Sequence, residues 1–224
     1  MPTSETLPLA TPAVRPEKKS GKPYTKRQDV LPTLNRLAAL YPHLFGARFL
    51  PMKRGIFQDL LTAHPEVFDK ETLKAALAMH TRSTRYLSCV ADGNARHDLQ
   101  GQAVESMAPE HVHHALLEVF KRRQARSNDD LTPILVERIV LAIEASGLGL
   151  DTYENLVRGR DAAGNAALDQ ALSVAHADAA KSEALMRAFR NSGQSVQVFS
   201  DMYGMDAALV QRTLERANAA ATPN

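Results

Sequence analysis

A chain of 224 residues with a formal net charge of +2 can bury one good core or two small ones, with a tail outside either. No apolar run reaches the ~18 to 20 residues a membrane span needs, the Pro-rich N-terminus lacks a signal-peptide core, and the lone Cys89 excludes an internal disulfide; a cytoplasmic protein without a membrane partner is expected. The charge is unevenly spread: residues 1–128 hold 19 Lys/Arg against 12 Asp/Glu and residues 129–224 hold 8 against 13, so the first part alone suits a polyanion.

Residues 1–27 carry five prolines (Pro2, Pro8, Pro12, Pro16, Pro23) and almost no periodic apolar positions, so they read as a disordered arm. Arg15, Lys18, Lys19, Lys22, Lys26 and Arg27 leave two readings open for it, a solvated tail or a tether gripping phosphates without sequence preference. Val30, Leu31, Leu34, Leu37 and Ala38 predict a first helix that stops at Tyr41-Pro42. After a turn through Gly46, the residues Ile56, Phe57, Leu60 and Leu61 predict a short second helix closed by His64-Pro65. Asp69 is the expected N-cap of a third, whose inward stripe is Leu73, Ala76, Leu77 and His80.

Thr81, Ser83 and Thr84 then break the pattern, since hydroxyl residues favour caps and turns. Ser83 can cap a short helical turn through Tyr86-Leu87, and the free N–H groups at such a start attract an anion. Ser88-Cys89-Val90 reads as strand, with Cys89 a small buried hydrophobe, and pairs across an Asp92-Gly93-Asn94 turn with Arg96-His97-Asp98-Leu99. Pro109 opens a further helix with Val112, Ala115, Leu116, Val119 and Phe120 as its buried face; its basic end, Lys121-Arg122-Arg123, suits the negative helix terminus.

Ser127-Asn128-Asp129-Asp130 is the expected junction between a domain over residues 28–128 and a helical region over 129–224. The latter begins with a stripe of Leu131, Ile134, Leu135, Ile139, Val140 and Ile143 halted by Gly147, then a short helix capped by Asp151. A long Ala-rich helix follows from about Ala166 to Arg190, and two last helices meet at Gly204, the second capped by Asp206.

No Gly-rich phosphate loop, Gly-x-Ser-x-Gly elbow or recognisable Cys/His pairing is present, so neither catalysis nor a cofactor is expected. His111, His113 and His114 lack a cysteine or carboxylate to complete a metal site and read as an exposed face. The two last helices resemble a helix–turn–helix in outline, but the segment is not basic and its second helix does not open on clustered Asn, Gln or Arg.

Three ordered segments are jointly specific: Pro51-Met52-Lys53-Arg54-Gly55-Ile56-Phe57-Gln58-Asp59-Leu60, Thr81-Arg82-Ser83-Thr84-Arg85-Tyr86-Leu87 and Gly93-Asn94-Ala95-Arg96-His97-Asp98-Leu99-Gln100-Gly101. Together with Tyr41-Pro42-His43-Leu44-Phe45 they resemble the ProQ/FinO family of bacterial RNA chaperones over about Asp29 to Arg126. The resemblance implies a mostly helical domain with a small β-hairpin, here followed by an all-α region. It further implies binding of structured RNA, typically a terminator-like stem-loop with a single-stranded 3′ tail, in support of small regulatory RNAs acting on messages. Tyr86 and Arg96 match the family's RNA-binding pocket, Lys53 and Lys74 its basic positions, and Arg85 a basic position of some members. Residue chemistry adds Arg54 on duplex phosphates and Thr81, Ser83 and Thr84 around the terminal phosphates. For Tyr86 a core ring, and for Arg96 a pairing with Asp98 or Asp92, stand as alternatives. His80 and Met52 occupy positions where relatives carry tyrosine and leucine. The competing function is an interaction module, in which the acidic helical half binds a protein partner or folds back on the basic face.

Overall fold

The computed structural model describes residues 29–221, with side chains as far as Glu215; the arm expected over residues 1–27 lies outside the described residues. The architecture is mostly α with one small β-hairpin, followed by an all-α C-terminal region, as expected.

Helix α1, Leu31–Leu40, ends where Tyr41 precedes Pro42, and the one-turn α2, Pro42–Phe45, which the sequence pattern did not reveal, buries Leu44 and Phe45. The segment 51–53 then runs beside the hairpin: His97 N–H donates to the Pro51 carbonyl at 2.7 Å and Lys53 N–H to the His97 carbonyl at 2.9 Å. Gly55 turns the chain into α3, Ile56–Ala63, with a φ of 84° that a side chain would resist. Helix α4, Lys70–Thr81, is capped by the Asp69 carboxylate, which accepts from Thr72 N–H at 2.9 Å, and it buries the four residues of the expected stripe.

Ser83 does cap the next helix, its hydroxyl accepting from Tyr86 N–H at 3.1 Å, but α5 runs through Thr84–Ala91. Ser88-Cys89-Val90 is therefore helix and not strand. Tyr86, Cys89 and Val90, spaced three and four apart, form its buried face, and that packing outweighs the β-branched local signal. The hairpin consequently lies further along, with β1, Arg96–His97, antiparallel to β2, Ala103–Glu105. Asp98 organises its turn by accepting from the N–H groups of Gln100 and Gln102.

Helix α6, Pro109–Gln124, packs along α5 and continues the hydrophobic core into α7, Thr132–Ser146, α8, Leu150–Val157, and the first half of α9, Ala162–Ser192. Leu135, Ile139 and Ile143 face this core, whereas Ile134 of the expected stripe is exposed. Asp151 lies inside the first turn of α8, and Gly149 holds the N-cap position expected for it. Along α9 the buried residues stop at Leu172, and residues 173–184 are exposed except for the half-buried Ala175 and Ser182. Beyond them α10, Val196–Tyr203, and α11, Ala207–Ala221, pack on the end of α9 around Phe199 and Val210, and Asp206 accepts from Ala208 N–H at 2.8 Å. Among the described residues no helix is long and apolar enough to cross a membrane.

Candidate nucleic-acid interface

Tyr86 and Arg96 are brought together through a single residue. The buried Tyr86 hydroxyl accepts the Met52 N–H at 3.1 Å, and Arg96 Nη1 donates to the Met52 carbonyl at 3.1 Å. Burial pushes the Tyr86 hydroxyl pKa above its usual value, partly offset by the Met52 N–H. The hydroxyl thus stays protonated and keeps a proton to donate. Only 7% of Tyr86 is exposed, so its ring is packed into the core.

Arg96 pairs with neither Asp98 nor Asp92. Its Nε lies 3.3 Å from Glu105 Oε1 across the hairpin, an ion-pair contact outside hydrogen-bond angles, and its Nη2 lies 3.4 Å from His111 Nδ1. Asp92 is taken instead by Arg138 of α7 at 2.7 Å. Glu105 also accepts the Arg54 N–H at 3.3 Å and sits 3.7 Å from Arg54 Nε, while Lys53 Nζ pairs with Asp59 at 2.7 Å. That hydrogen bond to Asp59 raises the Lys53 pKa, so the ammonium stays charged. Three of the expected phosphate contacts are therefore already paired with carboxylates; the pairs of Lys53 and Arg54 lie at the surface, where such pairs are weak and exchangeable, whereas the Arg96 side chain is only 15% exposed and its Nε is buried.

The start of α5 is built from two sides. Ser83 supplies the cap, while Arg122 reaches across from α6, its Nη1 donating to the Arg82 carbonyl at 2.8 Å and to Thr84 Oγ1 at 3.1 Å. Thr81 Oγ1 donates back to Leu77 O at 2.9 Å, which commits its hydrogen to α4. Lys74 is exposed on α4, seven residues before Thr81, so the two share a face about 10 Å apart along the axis. Lys74, Arg82 and Arg85 have no carboxylate partner among the described residues.

Arg85 sits over an aromatic ring, which its basicity did not forecast. Its guanidinium carbon sits 4.5 Å from the centre of the Phe49 ring, and Nη2 donates to the Ala47 carbonyl. Phe49 backs onto His80 at 4.3 Å, and His80 contacts Phe45 at 4.7 Å and Tyr86 at 5.3 Å. Burial, with the Arg85 charge second, lowers the His80 pKa to about 4, so the imidazole is neutral at pH 7.

Sequence reasoning missed Phe49, Glu105, His111 and Arg122; each acts through a partner on another element of the chain, which periodicity does not register. His113 departs from the expected exposed histidine face. It is buried, 3.3 Å from the Tyr153 hydroxyl of α8, with its pKa lowered by burial to about 4. Cys89 is buried, with its thiol pushed up to about 12. No cluster of three or more His, Cys, Asp or Glu suited to a metal occurs among the described residues.

Residues 27–131 match the model of the ProQ/FINO family and end one residue before α7. Among solved structures, the chain is similar to the crystal structure of a FinO-like RNA chaperone from Neisseria meningitidis, at 32% identity, covering 40% of this chain and 93% of that one, with a TM-score of 0.37. It is also similar to the solution structure of a ProQ homolog from Legionella pneumophila, at 27% identity, covering 51% and 99% respectively, with a TM-score of 0.37.

Proposed function

The chain belongs to the ProQ/FINO family through residues 27–131, and on that footing we propose that it is a cytoplasmic RNA-binding chaperone that works by equilibrium binding, without catalysis. Its ligands are structured RNAs, stem-loops followed by a single-stranded 3′ tail, as found in small regulatory RNAs and at the 3′ ends of messages. The carrying observation is the Met52 peptide, which holds the Tyr86 hydroxyl and the Arg96 guanidinium beside each other. Such a pair offers a protonated hydroxyl to a terminal sugar and a planar fork to a phosphate. Arg54 and Lys53 line one flank; Thr81, Ser83, Thr84 and Arg85 mark the α4–α5 turn, and Lys74 extends the basic surface along α4.

The test is the affinity of full-length protein and Arg96→Ala for an RNA stem-loop with a 3′ tail, and for double-stranded DNA at the same salt. The reading expects RNA to be preferred and Arg96→Ala to weaken RNA binding at least tenfold with folding preserved, the scale of a charge-assisted hydrogen bond. Equal affinity for DNA would sink the class, and an unchanged Arg96→Ala the site.

One contact favours electrostatic restraint by the acidic half as a second reading. Lys121, at the basic end of α6, pairs with Asp161 at 3.1 Å. On that reading Asp161→Asn tightens RNA binding at low salt; no change leaves the C-terminal region to a protein partner or to support of the fold.

A further inference from the structure

The side chains from Arg85 to Tyr86 form a column: Arg85 over Phe49, Phe49 against His80, His80 against Tyr86. The column runs from the buried Tyr86 to the exposed Arg85. Two features distinguish Arg85 from the paired cations Lys53, Arg54 and Arg96. It has no carboxylate partner among the described residues, and its guanidinium, held like that of Arg96 by a main-chain carbonyl, rests on an aromatic ring. A guanidinium used chiefly as a point charge gains little from such anchoring. One fixed on a ring presents a planar cationic face on its solvent side, the surface on which nucleobases stack.

We propose that the Arg85–Phe49 pair is a stacking platform for one unpaired nucleobase of the 3′ tail, next to the pocket of Tyr86 and Arg96. The proposal rests on the RNA-binding reading and adds to it a base subsite that includes Phe49. Every base has a π-face, so the platform discriminates weakly by sequence and favours purines by their area. It counts one tail nucleotide by position, where phosphate contacts alone would tolerate its sliding.

The experiment uses full-length protein, its Arg85→Lys and Phe49→Leu variants, and a stem-loop RNA whose 3′ tail carries a single abasic site at each position in turn. For the unsubstituted protein, base removal at one tail position is expected to weaken binding by roughly tenfold, the size of a base–aromatic stack. Arg85→Lys keeps the charge but loses the plane. It should bind the intact tail about as weakly as the unsubstituted protein binds the abasic one, with no further loss on base removal. The same position labelled with 2-aminopurine should be quenched on binding by the unsubstituted protein and much less by Arg85→Lys. Because Arg85 is exposed, Arg85→Lys keeps the test usable if Phe49→Leu fails to fold.

The proposal is overturned if no tail position is sensitive to base removal, or if Arg85→Lys shows the same intact-to-abasic ratio as the unsubstituted protein. Either result would leave RNA binding itself standing. Absence of RNA binding by the unsubstituted protein would overturn both readings.

Discussion

Replacing Tyr86 has two separable effects, because its ring belongs to the core while its hydroxyl holds the Met52 N–H. Tyr86→Ala removes a buried aromatic and should cost about 3–5 kcal/mol, so lost RNA binding in that variant would report unfolding as much as lost contact. Tyr86→Phe keeps the ring and leaves one buried N–H unmatched, at about 1–3 kcal/mol by denaturant unfolding. It is the cleaner probe of the pocket. His80 and His113 set the acid sensitivity. Both are held neutral in the fold, with pKa values near 4, against about 6.5 when unfolded. Between those values the unfolded chain binds more protons, so stability is full above about pH 6.5 and falls as pH drops toward 4. The slope is at most ~1.4 kcal/mol per pH unit from each histidine. Thermal unfolding at pH 4.5 and 7.5 checks this, and His113→Gln, which cannot titrate, should narrow the gap between the two.

The caps at Asp69, Ser83 and Asp206 were legible because capping is local: a short polar side chain meets an N–H two or three residues on. Ser83→Ala should accordingly cost about 1 kcal/mol and loosen the turn that Arg122 clasps, seen as a lower unfolding midpoint. The identity of α5 was not legible beyond Leu87, since Ser88-Cys89-Val90 reads as strand until Tyr86, Cys89 and Val90 are seen to share a buried face against α6. The hairpin was misplaced for the same reason, its turn lying at Asp98–Gly101 rather than at Gly93. At Gly101 an added Cβ would meet His43 Cδ2 at 2.9 Å with φ at 78°, whereas at Gly55, with φ at 84°, it would meet nothing within 4 Å. Gly101→Ala should therefore destabilise more than Gly55→Ala by denaturant unfolding. Equal losses would mean that the contact with His43 contributes nothing.

At the scale of the whole chain, charge pointed to a boundary near residue 129, and the family match stops at residue 131. The packing does not stop there. Leu116 of α6 belongs to one hydrophobic core with Leu135, Ile139 and Ile143 of α7, and Arg138 fastens the end of α5 through the Ala91 carbonyl and Asp92. Cutting the chain after residue 131 exposes that apolar surface, and the shortened protein should melt several degrees lower than the full one. Charge balance marks where the surface changes sign and carries no information about which interior faces meet. The bare stretch of α9 at residues 173–184 has the opposite consequence. Cooperativity passes through buried contacts, and these lapse between Leu172 and the cluster at Phe199 and Val210. Hydrogen exchange should thus divide the molecule into two foldons that open independently, with the slow-exchanging one ending near Leu172, so that the seam between them falls within a continuous helix and not in a loop.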